Sequence, residues 1–153
     1  MLRRASPEDL EGIDRLEEVC FGERRFTRDH VAWVLRNPEI PTVVEVEAGI
    51  RGAVMVAVEK AQARILSVAV DPAHRRRGVG TRLMAAAESL ARERGAGVLS
   101  LEVGVSNVGA IEFYRRLGYK VAARLFSYYS WGEDAFGMTK SLARKASRIL
   151  TPT

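Results

Sequence analysis

The segment VDPAHRRRGVGTRLM, residues 70–84, constrains the fold more than any other part of the chain. SVAV reads as the end of a strand, Asp71-Pro72 stops it, and Val79, Leu83, Ala87 and Leu90 make the apolar stripe of a helix. Between strand and helix lie Arg75, Arg76 and Arg77, then Gly78 and Gly80. A strand, a glycine-rich turn and a helix in that order leave several backbone N–H groups free at a helix N-terminus, where the macrodipole adds to their pull on an anion. The two glycines let backbone approach an anion with no Cβ in the way. The spacing is not a P-loop, because no Gly-Lys-Ser/Thr follows, and it is not G-x-G-x-x-G. By itself the segment fits a phosphate cradle and a structural turn with solvent-facing arginines about equally.

The chain has 153 residues, which suits one domain with a real core, and residues 1–153 read as one. Its net charge of +5 comes from scattered residues, several beside acids. Clusters occur at Arg75–Arg77 and in the tail ARKASRIL, where a basic, frayed end is expected over residues 143–153. The basicity favours anionic partners without choosing between RNA and a phosphorylated cofactor. The single cysteine, Cys20, excludes an internal disulfide and reads as a small buried hydrophobe among Leu16, Val19 and Phe21. No apolar run reaches the length of a bilayer span and no signal peptide opens the chain, so a cytoplasmic protein without membrane contact is expected.

The remaining elements follow from patterning. Residues 1–5 read as a strand and SPED opens a helix with Leu10, Ile13, Leu16 and Val19 on its apolar face. A second helix spans about residues 28–36. A hairpin pairs residues 42–47 with 50–58, and ARILSVAV is a strand with Leu66, Val68 and Val70 opposite Ile65, Ser67 and Ala69. The stripe helix runs to about residue 94, then come a strand at 98–103, a helix at 107–117 and strands at 119–131 and 136–142. This order predicts an α/β fold: a mixed, mostly antiparallel sheet of about six to seven strands flanked by about four helices.

Arg75-x-x-Gly78-x-Gly80 after SVAVDP resembles the acetyl-CoA signature of the GNAT superfamily of acetyltransferases. LSLEVGVSNVGAIEFYRRLGYK and SYYSWGEDAFGM are similar to the corresponding segments of its RimI-like and NatA-type N-terminal acetyltransferases. The likeness is dense from about residue 65 to 142. It implies a GNAT-type domain with acetyl-CoA as cosubstrate and no metal. Val68, Ala69 and Val70 would run beside the cofactor's pantetheine arm, with a main-chain N–H around Val70 polarising the thioester carbonyl. The turn Arg75, Arg76, Arg77, Gly78, Val79, Gly80 and Thr81 would hold the pyrophosphate.

The resemblance also assigns chemistry. Glu102 lies on the opposite strand face from Leu99, Leu101 and Val103 and aligns with the general base of RimI-like enzymes. From the residues alone, a charge on an exposed strand face explains it as well. Tyr114, two helical turns after Asn107, matches the tyrosine that donates a proton to the departing sulfur; at helical spacing it would otherwise be core. Asn107 serves equally as a helix N-cap and as a cofactor contact. Tyr128 and Tyr129 would line the acceptor groove, or else alternate along a strand with one ring in the core. Phe21 and Glu23, in FGERRF, would supply the other wall; Glu23 also suits a surface salt bridge to Arg24 or Arg25.

Acid–base chemistry favours an α-amine over lysine as acceptor. An α-amino group of pKa about 7.7–8.0 is partly neutral near pH 7.4, whereas lysine at about 10.4 requires about 4 kcal/mol before attack. The expected reaction is transfer of acetyl to the free α-amino group of protein N-termini, ribosomal proteins among them. The alternatives are a small amine such as a polyamine or amino acid, and a non-catalytic acyl-CoA-binding module; a nucleic-acid binder is least supported. Two departures from the family stand out. Gly104 follows LEV where arginine is common, and FGERRF lacks the proline and tyrosine of NatA-type relatives.

Overall fold

The computed structural model describes residues 1–142. The basic tail expected at 143–153 lies outside the described residues. Seven strands form one sheet in the order β1-β2-β3-β4-β5-β7-β6. They are β1 (Leu2–Arg4), β2 (Thr42–Val46), β3 (Ile50–Glu59), β4 (Gln62–Val70), β5 (Val98–Gly104), β6 (Lys120–Leu125) and β7 (Ala135–Ser141). The α-helices among the described residues are α1 (Leu10–Phe21), α2 (Arg28–Leu35), α3 (Val79–Glu93) and α4 (Val108–Arg116). Every neighbouring pair of strands is antiparallel except β4 and β5. The connection between those two carries α3, as a parallel pair requires a crossover.

Strand alternation sends side chains to two cores, one on each sheet face. Val43, Val54 and Val56 join Leu83, Met84 and Ala87 of α3, while Val44, Ala53 and Met55 meet Ile13 and Leu16 of α1 and Val31 and Val34 of α2. The α3 stripe fits against β3 because residue 52 is glycine. A Cβ there would come within 2.7 Å of Val79 and 2.9 Å of Leu83.

Three expectations need correction. Residue 19 of α1 is half exposed, because the buried stripe continues through Glu17 and Cys20, four residues on from Ile13 and Leu16. Secondly, β4 does not alternate throughout. Met55 pairs with Ser67 but Val56 with Ile65, so Leu66 is an extra residue, a β-bulge. Ile65 therefore shares the α3 face with Val68 and Val70, while Leu66 and Ala69 pack toward α1. Thirdly, the strand expected over 119–131 ends at Leu125. Ser127 takes a left-handed φ of +47° and its N–H donates to Asp134 Oδ1 at 2.7 Å, which turns the chain out of the sheet. Tyr128 and Tyr129 therefore stand on a loop.

Candidate active site

The parallel pair is short. Its ladder joins Gln62, Ala63 and Arg64 to Val98, Leu99 and Ser100, and beyond these residues β4 and β5 continue without a ladder between them. The bulge at Leu66 falls where the pairing ceases, as bulges commonly do at a strand's departure from its partner. A gap thus opens in the middle of the sheet, bordered by Val68, Ala69 and Val70 on one side and by Leu101, Glu102 and Val103 on the other. Ala69 turns its side chain toward α1, and Val68 and Val70 turn theirs toward α3.

The turn after β4 closes one end of the gap. Gly78 is the N-cap of α3 with φ +78°, a left-handed conformation in which glycine meets no steric penalty. The N–H groups of the first α3 turn have no carbonyl one turn back within the helix and are available to an anion. Val79 buries its side chain in the α3 core, so it can offer a ligand only backbone, while Arg76, Arg77 and Thr81 are exposed. Arg75 is less free than expected: its Nε donates to the Val70 carbonyl at 3.1 Å and so ties the turn to the end of β4. The same carbonyl accepts the Cys20 thiol at 3.3 Å, and burial pushes that thiol's pKa up. Cys20 is half-buried rather than fully in the core. At Gly80 the constraint is packing, since a Cβ would lie 3.2 Å from the Phe113 ring of α4.

Helix α4 lays Phe113 against Gly80 of the turn, and Tyr114 follows it in the chain. Asn107 caps the helix, its Oδ1 accepting the Ala110 N–H at 3.2 Å, which realises the capping alternative. Tyr114 packs edge-on against Phe113 and against the buried ring of Tyr119. Burial, with a smaller contribution from Tyr129, pushes its pKa up to about 12, so the hydroxyl keeps its proton at any physiological pH.

Glu102 occupies the polar face of β5, between the buried Leu101 and Val103. Its Oε1 accepts Arg64 Nε at 2.8 Å and the Tyr128 hydroxyl at 3.4 Å, and Arg64 Nη2 donates to that hydroxyl at 2.8 Å. Tyr128 meets Tyr129 edge-on, Tyr129 stacks on Trp131 at 4.6 Å, and the Arg24 guanidinium lies 3.9 Å from the Trp131 ring centroid. The two loops expected to form opposite groove walls are thereby joined through Trp131, which sequence reasoning passed over, and Arg24, which it offered only as a partner for Glu23; Arg64 of β4, also passed over, ties Tyr128 to Glu102. Arg64 sits on the same face as Glu102, opposite Ser100 in the short parallel ladder. Trp131 follows the double tyrosine by two residues, which was a signal. Phe21 is exposed at the end of α1. Glu23 is exposed and pairs with neither neighbouring arginine, for Arg24 stacks on Trp131 and Arg25 bonds Asp14.

The departure at Gly104 has a local cause. A Cβ there would come within 2.6 Å of Glu133 Oε2. That carboxylate accepts the Ser106 hydroxyl at 2.5 Å, the Trp131 indole N–H at 3.0 Å and the Ser106 N–H at 3.1 Å, bonds that hold its pKa down to about 2. Glu133 thus fills the space beside β5 and fastens the loop that carries the aromatic ladder.

The comparisons with known proteins agree with this fold. The profile of the Acetyltransferase (GNAT) family matches residues 9–119. The chain belongs to the GNAT family of acetyltransferases. It is 33% identical to the catalytic subunit of the N-terminal acetyltransferase A complex of Arabidopsis thaliana, over 94% of this chain and 79% of that protein. The crystal structure of Ard1 from Thermoplasma volcanium superposes with a TM-score of 0.85 at 31% identity, over 94% of this chain and 98% of that one. The ribosomal-protein-S18-alanine N-acetyltransferase of Escherichia coli shares the fold, with a TM-score of 0.85 at 24% identity over 94% of each chain. No helix among the described residues is long and apolar enough to cross a membrane, and no group of described residues could hold a metal ion.

Proposed function

We propose that this GNAT enzyme transfers acetyl from acetyl-CoA to the free α-amino group of peptide and protein N-termini. The observation that carries the reading is Glu102: a carboxylate beside the gap between β4 and β5, faced by a loop of tyrosines and tryptophan that suits an extended peptide. The relative from the N-terminal acetyltransferase A complex supports a protein acceptor, and the S18-alanine enzyme makes ribosomal proteins candidates.

The residues present fit the cofactor. Gly78, Val79, Gly80 and Thr81 offer backbone N–H groups at the start of α3, with Arg76 and Arg77 as formal charge, and the β4 edge at Val68 and Val70 and the Asn107 end of α4 flank the gap. Acetyl-CoA, when bound, supplies an activated acetyl thioester. Glu102 takes the proton of the acceptor amine, directly or through water, and Arg64 holds the carboxylate in place. Tyr114 holds its proton at Oη and offers it toward the departing thiol. Full transfer from a group of pKa about 12 to a thiolate of about 8.5 costs about 5 kcal/mol, so Tyr114 acts chiefly as a hydrogen-bond donor. Tyr128, Tyr129 and Phe21 contact the first residues of the acceptor, and Glu23 lies at the rim.

The test is acetyl transfer to peptides that differ at residue one, each with a free or a blocked N-terminus, alongside internal-lysine peptides and spermidine. Transfer confined to free N-termini is expected. Transfer to spermidine alone makes the enzyme a small-amine acetyltransferase, and CoA binding with no transfer to any acceptor leaves a non-catalytic acyl-CoA module.

A further inference from the structure

The phosphate turn is braced from behind by a charged cluster that the chemistry above does not use. Arg82, in the first turn of α3, donates Nε to Glu45 Oε1 at 2.7 Å and Nη2 to Glu45 Oε2 at 2.8 Å. Its remaining arm, Nη1, donates to the Arg77 carbonyl at 3.1 Å. Glu45, on β2, is 1% exposed and also accepts Arg51 Nε at 2.8 Å, so the carboxylate is fixed from two sides. The bidentate fork leaves the Arg82 guanidinium little rotational freedom.

That fork bears on the direction of a neighbouring donor. In a trans peptide the C=O and the following N–H point in opposite directions. Holding the Arg77 carbonyl against Arg82 therefore turns the Gly78 N–H away from Arg82. The turn needs such a brace, because Arg76 and Gly78 both take left-handed φ values, +64° and +78°, and for arginine that conformation costs about 1 kcal/mol or more. Gly78 also makes the contact possible, since a Cβ there would come within 3.0 Å of Arg82 Nη1.

We propose that Arg82 is a positioning residue for the pyrophosphate of acetyl-CoA: anchored by Glu45, it holds the Arg77 carbonyl and so aims the Gly78 N–H, without touching the ligand. The inference rests on the acetyl-CoA reading above. It gives Glu45 and Arg82, which lie outside the Arg75-x-x-Gly78-x-Gly80 signature, a share in cofactor affinity.

The test is calorimetric titration with CoA of the wild type, Arg82→Met, Arg82→Lys and Glu45→Gln, together with steady-state transfer from acetyl-CoA and from S-acetylpantetheine, which lacks the pyrophosphate. Both Arg82 variants are expected to raise the CoA Kd about five- to tenfold, the value of one lost or misaligned hydrogen bond, with Glu45→Gln smaller in the same direction. Their kcat/KM for S-acetylpantetheine is expected to match the wild type. Arg82→Met leaves Glu45 bonded to Arg51, so thermal melts should show a folded protein. Unchanged CoA affinity overturns the inference. So does an equal loss with S-acetylpantetheine, which marks a general structural defect, or full affinity in Arg82→Lys, which marks charge alone. A wild type that binds no CoA overturns the cofactor reading itself, before any variant is compared.

Discussion

The two sides of the gap are built differently. On the proposed donor side, the groups that would face a ligand are mostly main chain, and the side chains behind them are locked: Val79 in the core, Arg75 on the Val70 carbonyl, Arg82 on Glu45. On the proposed acceptor side they are mostly side chains on loops, joined by ring contacts from Arg24 through Trp131 and Tyr129 to Tyr128, and then to Arg64 and Glu102 on the strands. Backbone donors suit a ligand that is the same in every turnover. Loop side chains can be exchanged without disturbing the sheet, and so suit an acceptor that varies between relatives.

This contrast can be broken or sharpened by substitution. The largest effect should come from Glu102→Gln, which keeps the hydrogen bonds to Arg64 and Tyr128 but removes the base. At pH 7 kcat should fall about 10²–10⁴-fold while CoA affinity, measured by calorimetry, is unchanged. Tyr114→Phe should lower kcat by about tenfold, the value of one hydrogen bond to a charged leaving group, with folding intact. Because burial raises the Tyr114 pKa from 10.0 to about 12, the wild-type rate should show no alkaline decline near pH 10. Trp131→Ala should raise the peptide KM a few-fold, about 1 kcal/mol of stacking and cation–π contact, and leave the KM for acetyl-CoA alone. Equal effects on both constants would show that the two sides are not separable.

The smallest effect concerns stability. Glu45 titrates at about 2 when folded, below its ordinary 4.5, so its contribution is full above about pH 4.5 and is lost as pH falls toward 2. In Glu45→Gln, urea unfolding midpoints at pH 5 and pH 2.5 should differ less than in the wild type.

Much of this was legible in the sequence because it depends on local rules. The α3 stripe, the Asn107 cap and the polar face of Glu102 follow from periodicity and capping, and they are where the chain places them. The bulge at Leu66 was not legible, because an extra residue is a property of the pairing with β3. Nor was the loop at 126–134, whose departure from the sheet depends on Asp134 reaching back to Ser127. Among candidate residues, Glu102 and Tyr114 could be named through the family motif. Arg64, Arg24 and Arg82 could not, since each acquires its role from a partner at least 37 residues away in the chain.

The most direct test of the central claim, that Glu102 is the base for a free α-amine, is the pH dependence of single-turnover acetyl transfer by Glu102→Gln to a free N-terminal peptide. The deficit against wild type should be large at pH 7 and persist above the acceptor's own pKa of about 7.7–8.0, because an amine that arrives neutral still sheds a proton as its nitrogen bonds the acyl carbon. A rate equal to wild type at pH 7 would contradict the assignment and move the base to another group.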